Sequence, residues 1–135
     1  MSRVNNWPSR LNALVDVRRN TPFQWGNHDC LLWPADVVAA ITDSDPALEF
    51  RGTYDSPLSA MRIVKQHGGM AALVDHCTSF ERVPVAKASR GDVVMTTYDG
   101  RLCGGVCLGN VSAFVGATGL VFLPRTAIEI AWRTT

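Results

Sequence analysis

Trp25-Gly26-Asn27-His28-Asp29-Cys30 is the stretch on which the reading of this chain turns. A glycine-containing loop delivers a cysteine to the head of an apolar helical pattern: Leu31, Leu32, Ala35, Val38 and Ala39. That pattern predicts a buried helix from about Cys30 to Thr42, with Pro34 tolerable in its first turn. Asp29 or His28 closes the loop, and Asp29 suits the N-cap, where a carboxylate also meets the positive end of the helix dipole. Unpaired N–H groups at such a terminus stabilise a thiolate and lower the thiol pKa. The same N–H groups can hold a developing oxyanion. A cysteine nucleophile needs this setting, yet a small apolar residue capping a core helix has the same sequence.

Outward from the loop, the two halves differ in period. Trp7, Pro8, Leu11, Leu14, Val15 and Arg18 follow helical spacing, and Arg19-Asn20-Thr21-Pro22 ends that helix. Ser56-Pro57 starts another, which carries Leu58, Met61 and Val64 to a stop at Gly68-Gly69, and a short helix covers Met70 to His76. Beyond Cys77 the period becomes two. Val93–Tyr98 reads as a strand, Asp99-Gly100 as a two-residue hairpin turn, and Leu102 to Leu108 as the return strand. Gly104-Gly105 marks a bend or the close approach of another backbone. Further strands are expected around Ser112–Val115, Leu120–Leu123 and Ile128–Arg133. The prediction is one α+β domain over 1–135, helical over about 7–77 and sheet over about 80–134.

The 135 residues are 47% hydrophobic and 19% charged, enough to build a packed core. Thirteen Lys plus Arg against twelve Asp plus Glu leave +1, which argues against a nucleic-acid footprint or an anionic membrane partner. No apolar run approaches the roughly 20 residues of a membrane span. Met1-Ser2-Arg3-Val4-Asn5-Asn6-Trp7-Pro8 lacks the apolar core of a secretion signal, so synthesis and folding in a cytoplasm are expected.

The four cysteines are Cys30, Cys77, Cys103 and Cys107, without a C-x2-C pair. Cys77, Cys103 and Cys107 read as buried reduced thiols, and no metal or cofactor is expected. Cys103 and Cys107 share a strand face, which leaves a thiol-ligated metal or cluster as a minor alternative. Of the three histidines, His28 is nearest to Cys30 in sequence and is the candidate base, although hydrogen bonding within the loop explains it as well. His67 at a helix end suits a contact to a C-terminal carbonyl, and His76 suits solvent.

Three blocks resemble a known family. Phe23-x-Trp25-Gly26-x-x-Asp29-Cys30 resembles the nucleophile loop of the NlpC/P60 cell-wall peptidases. Arg90-Gly91-Asp92-Val93-Val94 resembles that family's G-D-L-V strand, and Gly105-Val106-Cys107-Leu108-Gly109-Asn110 its G-I-Y-L-G-N strand. The resemblance implies a papain-like core, with helices that carry the cysteine and a sheet that carries a histidine. It also marks two departures: Cys103 stands where the histidine is expected, and Gly116 where the third, polar partner is expected. Cys30 is then a vestigial or conditional nucleophile.

Trp7-x-x-Arg10-Leu11, Ala35-Asp36-x-Val38, Arg51-Gly52-x-Tyr54, Gly68-Gly69 and Ala131-Trp132-Arg133 narrow the resemblance to small NlpC/P60-like proteins encoded among siphophage tail genes. This implies a minor structural protein at the virion tail tip, with the tail hub, the distal tail ring or the tape-measure protein as partners and peptidoglycan as a further contact. The alternative is a working cysteine endopeptidase that opens peptidoglycan as phage DNA passes into the cell. Trp7 and Trp132, rimmed by Arg3, Arg10, Arg18, Arg19 and Arg133, are the expected anchors for neighbouring subunits.

Overall fold

The change of period near Cys77 is a change of architecture. The computed structural model describes residues 2–135. Helices α1 (Trp7–Arg18), α2 (Leu32–Thr42), α3 (Pro57–Gln66) and α4 (Met70–Thr78) come first. Strands β1 (Arg82–Val83), β2 (Val93–Tyr98), β3 (Arg101–Cys107), β4 (Val111–Val115), β5 (Leu120–Pro124) and β6 (Ile130–Trp132) follow. They form one sheet in the order β1-β6-β2-β3-β4-β5, every neighbouring pair antiparallel. The fold is therefore α+β, as the patterning predicts.

Local chemistry fixes the boundaries. Ser56 and Ser59 cap the start of α3 reciprocally, with Pro57 in its first turn, and Gly68 and Gly69 leave it at positive φ. Asp99 (φ 52°) and Gly100 (φ 76°) turn β2 into β3, which is the two-residue hairpin with both centres left-handed. Strand β1 escapes sequence patterning because two residues carry no period; it exists through Arg82↔Trp132 and Val83↔Ala131. The 3-10 turns over Val85–Lys87 and Arg125–Ala127 are likewise too short to read.

The central helix α2 is buried along most of its length. Trp33, Val37 and Ile41 meet Leu11 and Val15 of α1 on one side and Val106, Ala113 and Val115 of the sheet on the other. Burying each such side chain contributes about 2 kcal/mol. The Trp33 indole donates to the carbonyl of Ala113 at 2.9 Å, so the polar end of the largest core residue is satisfied and the helix is locked to β4. The opposite sheet face has its own smaller core, which includes Val94, Cys107, Phe114 and Ala131.

Two carboxylates tie distant parts of the chain together. Asp92, fully buried, accepts from the Ser89 N–H (2.9 Å), the Thr134 N–H (3.2 Å) and the Arg3 guanidinium (2.9 Å). Asp36 lies between Arg18 (2.8 Å) and Arg51 (2.7 Å), and Arg51 continues to Asp45 (2.6 Å).

For Trp132 the structure corrects the expectation of an exposed interface anchor. Trp132 is wholly buried and donates to Asp75 at 2.8 Å. Trp7 is half-buried beneath the Arg3 guanidinium, 4.3 Å from its ring centre. Arg10 pairs with Asp43, Arg18 with Asp36 and Arg19 with Asp16, while Arg133 bonds Ser89 and the Lys87 carbonyl. Each of these guanidinium groups has an intramolecular partner, and those of Arg10 and Arg19 remain at the surface.

Asp92→Ala removes the acceptor shared by these donors and leaves Arg3 partly buried without its anion. We expect a loss of about 3 kcal/mol in unfolding free energy, read as a lower urea midpoint at unchanged slope. A loss below about 1 kcal/mol would mean that the pair behaves as a surface contact.

Candidate functional site

The loop ahead of α2 is held by Asp29. Its carboxylate is fully buried and accepts from the N–H groups of Gly26 (2.8 Å), Leu31 (2.9 Å) and Leu32 (2.8 Å), and from the Tyr54 hydroxyl (2.7 Å). The Asp29 carbonyl accepts from Trp33 N–H at 2.9 Å, which makes a helical turn that leads into α2, and Cys30 stands in that turn two residues ahead of Leu32. The Asp29 side chain thus caps the lead-in turn, while α2 itself begins two residues later than the sequence suggests. Gly26 sits at φ 79°, and a Cβ there would stand 2.2 Å from the Tyr54 carbonyl, so only glycine lets the loop fold over the 51–55 segment.

Cys30 reaches the sheet where two strands part. The last β3–β4 pair is Gly105↔Phe114, and one residue further the Gly104 N–H donates to the Cys30 carbonyl at 3.2 Å. The helix terminus therefore occupies the place that β4 has vacated. A Cβ on Gly104 would lie 2.7 Å from that carbonyl and 2.9 Å from Pro34, which explains the glycine. The neighbouring residue on β3 is Cys103, whose sulfur lies 4.0 Å from the Tyr98 carbonyl and close enough to the Cys30 thiol for the two to influence each other's ionisation.

Both cysteines line an open cleft of about 730 Å³ whose other walls include Trp25, Tyr98, Arg101 and Gly116. The Arg101 guanidinium lies over the Trp25 ring, 5.5 Å from its centre. Behind Cys30, among α2, α3 and α4, is a small apolar cavity of about 60 Å³.

The electrostatics reverse one expectation. The helix terminus does not lower the Cys30 thiol, because Asp29 already takes the N–H groups of Leu31 and Leu32. The Cys103 thiol and burial both push Cys30 well above the usual thiol range, and the Asp29 charge adds to them. Cys103 is drawn down to about 7 by the Cys30 thiol, against burial and with help from Arg101. The two thiols titrate as a pair, and the Arg101 cation favours placing its first negative charge on Cys103. Neither helical N–H is free for an oxyanion.

His28 is not among the residues that line the cleft. Its ring is buried edge-on to Trp33, and Nδ1 lies 3.0 Å from Arg18 Nη1. Arginine only donates, so Nδ1 accepts and the proton sits on Nε2, which has no partner. Burial and then the Arg18 cation hold this imidazole below its ordinary pKa, hence neutral. His67 Nδ1 contacts the Ile63 carbonyl at 2.9 Å, the helix-end role the sequence suggests. His76 faces Glu49 at 3.3 Å on the surface.

Cys107 does not join Cys103 in a metal site. Its sulfur lies 3.8 Å from the Gly109 carbonyl and 3.8 Å from Arg125 Nη1, a cation that would oppose a metal ion. Among the described residues no group of three or more His, Cys, Asp or Glu could hold one. Cys103 in turn is more than a core thiol. Sequence patterning missed its partnership with Cys30, and the one signal was Gly104-Gly105, a close-approach mark beside it.

Thiol reactivity checks the assignment. Iodoacetamide labelling of Cys103 should rise with pH through a midpoint at about 7, since only the thiolate attacks, while Cys30 stays slow to far higher pH. Asp29→Asn removes the neighbouring negative charge and should speed Cys30 labelling. Peptide mapping of the alkylated chain reads both, and faster labelling at Cys30 than at Cys103 would invert the order.

No curated protein and no solved structure matches this chain. A family model does match, over residues 2–134, and its description is a domain of unknown function, DUF6950. With nearly the whole sequence covered, the chain belongs to the DUF6950 family.

Proposed function

We propose that the chain is a minor structural protein of a phage tail tip or hub, built on a papain-like, NlpC/P60-type core whose hydrolytic constellation has degenerated. The observation that carries this reading is the sulfur of Cys103 facing Cys30 where the resemblance calls for an imidazole. The three positions that the resemblance assigns to nucleophile, base and polar partner are Cys30, Cys103 and Gly116, and all three line one cleft. Convergence of residues so far apart in sequence favours the papain-like layout. The content of those positions argues against hydrolysis.

Amide cleavage requires a base to ready the nucleophile and an acid to protonate the departing amine. No histidine lines the cleft. At position 116 a Cβ would stand 2.4 Å from Val121 Cγ2 and 2.9 Å from the Gly119 carbonyl, so the backbone leaves no room for a polar side chain. A Cys–Cys pair holds one proton between two sulfurs and has no group to relay it. A scaffold role needs none of this chemistry, only a stable surface. On this reading the chain is made in the host cytoplasm and built into the virion tail tip beside the tail hub, the distal tail ring or the tape-measure protein. Peptidoglycan contact follows from that location.

The test pairs composition with activity. Mass spectrometry of purified particles encoded by the same genome should find the chain in their tails, and a null mutant complemented with Cys30→Ser should regain infectious particles in full. Purified protein should release no muropeptides from peptidoglycan. Absence from the particles overturns the tail assignment; muropeptide release that Cys30→Ser abolishes establishes the endopeptidase instead.

A further inference from the structure

We propose that Cys30 and Cys103 form a dithiol–disulfide exchange centre that takes a disulfide-bearing small molecule or peptide into the cleft. The proposal rests on the juxtaposition of two thiols and is independent of where the protein resides.

The geometry carries it. The Gly104 N–H to Cys30 carbonyl bond, 3.2 Å, pins the backbones of the two cysteines side by side across the gap left by β4. Glycine at 104 permits that approach. The thiols are free, both are largely buried, and both line one cleft. The other two cysteines do not line it: Cys107 is fully buried against Arg125, and Cys77 lies on α4.

The pair is also asymmetric in the way exchange requires. Cys103 lies towards Arg101, whose cation favours a thiolate there, while the Asp29 charge beside Cys30 opposes one. The Cys103 thiolate attacks one sulfur of the incoming disulfide, RS–SR, forming a Cys103–SR bond and releasing RS⁻, which takes a proton from solvent. Cys30 then loses its proton to solvent and attacks Cys103 Sγ, forming the Cys30–Cys103 disulfide and releasing the second RS⁻. Two electrons pass from the dithiol to the substrate disulfide, and two thiols leave. The reverse sequence oxidises a substrate dithiol.

The backbone bond between Gly104 and Cys30 is what makes the second step local. Once Cys103 is derivatised, its sulfur becomes the target of a neighbour already within reach, so the mixed disulfide is short-lived. Replacing Cys30 removes the resolving thiol and leaves the intermediate stranded.

Oxidised glutathione serves as the probe for the wild-type full chain. After incubation at pH 7.5 (about half a pH unit above the Cys103 midpoint), intact mass should fall by two hydrogens and the peptide map should show a Cys30–Cys103 link, with Cys77 and Cys107 still alkylatable. Cys30→Ser should accumulate one glutathione adduct, on Cys103, about tenfold or more faster than any adduct on Cys77. Dithiothreitol should restore the dithiol. A wild-type map without the Cys30–Cys103 link, or an adduct on Cys103 that forms no faster than on Cys77, overturns the proposal. The wild-type measurement involves no substitution, so a misfolded variant cannot decide the outcome.

Discussion

One buried carboxylate organises the molecule. Asp29 gathers N–H donors from both sides of the loop and the Tyr54 hydroxyl from the 51–55 segment. A charge with no exposure to water is tolerable only when its lone pairs are met, and here four donors meet them. The Tyr54 hydroxyl is in turn held in its neutral form, first by burial and then by its bond to the carboxylate. Fixing the loop fixes where α2 begins, and that sets where Cys30 touches β3. The cleft, the sulfur pair and the packing of α2 all depend on this cap.

The ionic chain from Arg18 through Asp36 and Arg51 to Asp45 acts at the next radius. It connects α1, α2 and the segment ahead of Tyr54, so the partner that delivers the tyrosine to Asp29 is itself braced. Arg51 remains firmly cationic, with its bond to Asp45 the largest influence against burial and Asp36 reinforcing it. Arg18 additionally closes over the Nδ1 of His28. The histidine next to the cleft loop in sequence is thereby committed to the interior of the scaffold.

Much of this was legible in the residues. The shift from helical to alternating period, the Asp99-Gly100 turn and the glycine pair after α3 each leave a local signature, because each reflects a backbone demand that few residues meet. The cap at Asp29 was readable for the same reason. The thiol pair was not, since the partner of Cys30 is 73 residues away and is brought near where strand β4 parts from β3, a tertiary event without a local pattern. Strand β1 and the internal pairing of the arginines were hidden too. Both depend on which distant group folding supplies, and composition says only that a partner of the right charge exists.

The tight turn after β4 has a last consequence. Val121 and the Gly119 carbonyl crowd the space above Gly116, so a histidine introduced at position 103 would find no side chain there to orient its ring. Placing a side chain at position 116 would demand remodelling of the β4–β5 connection as well as a change of residue. The packing of one turn thus keeps this wall of the cleft bare backbone, closed to any single substitution that would add a functional group there.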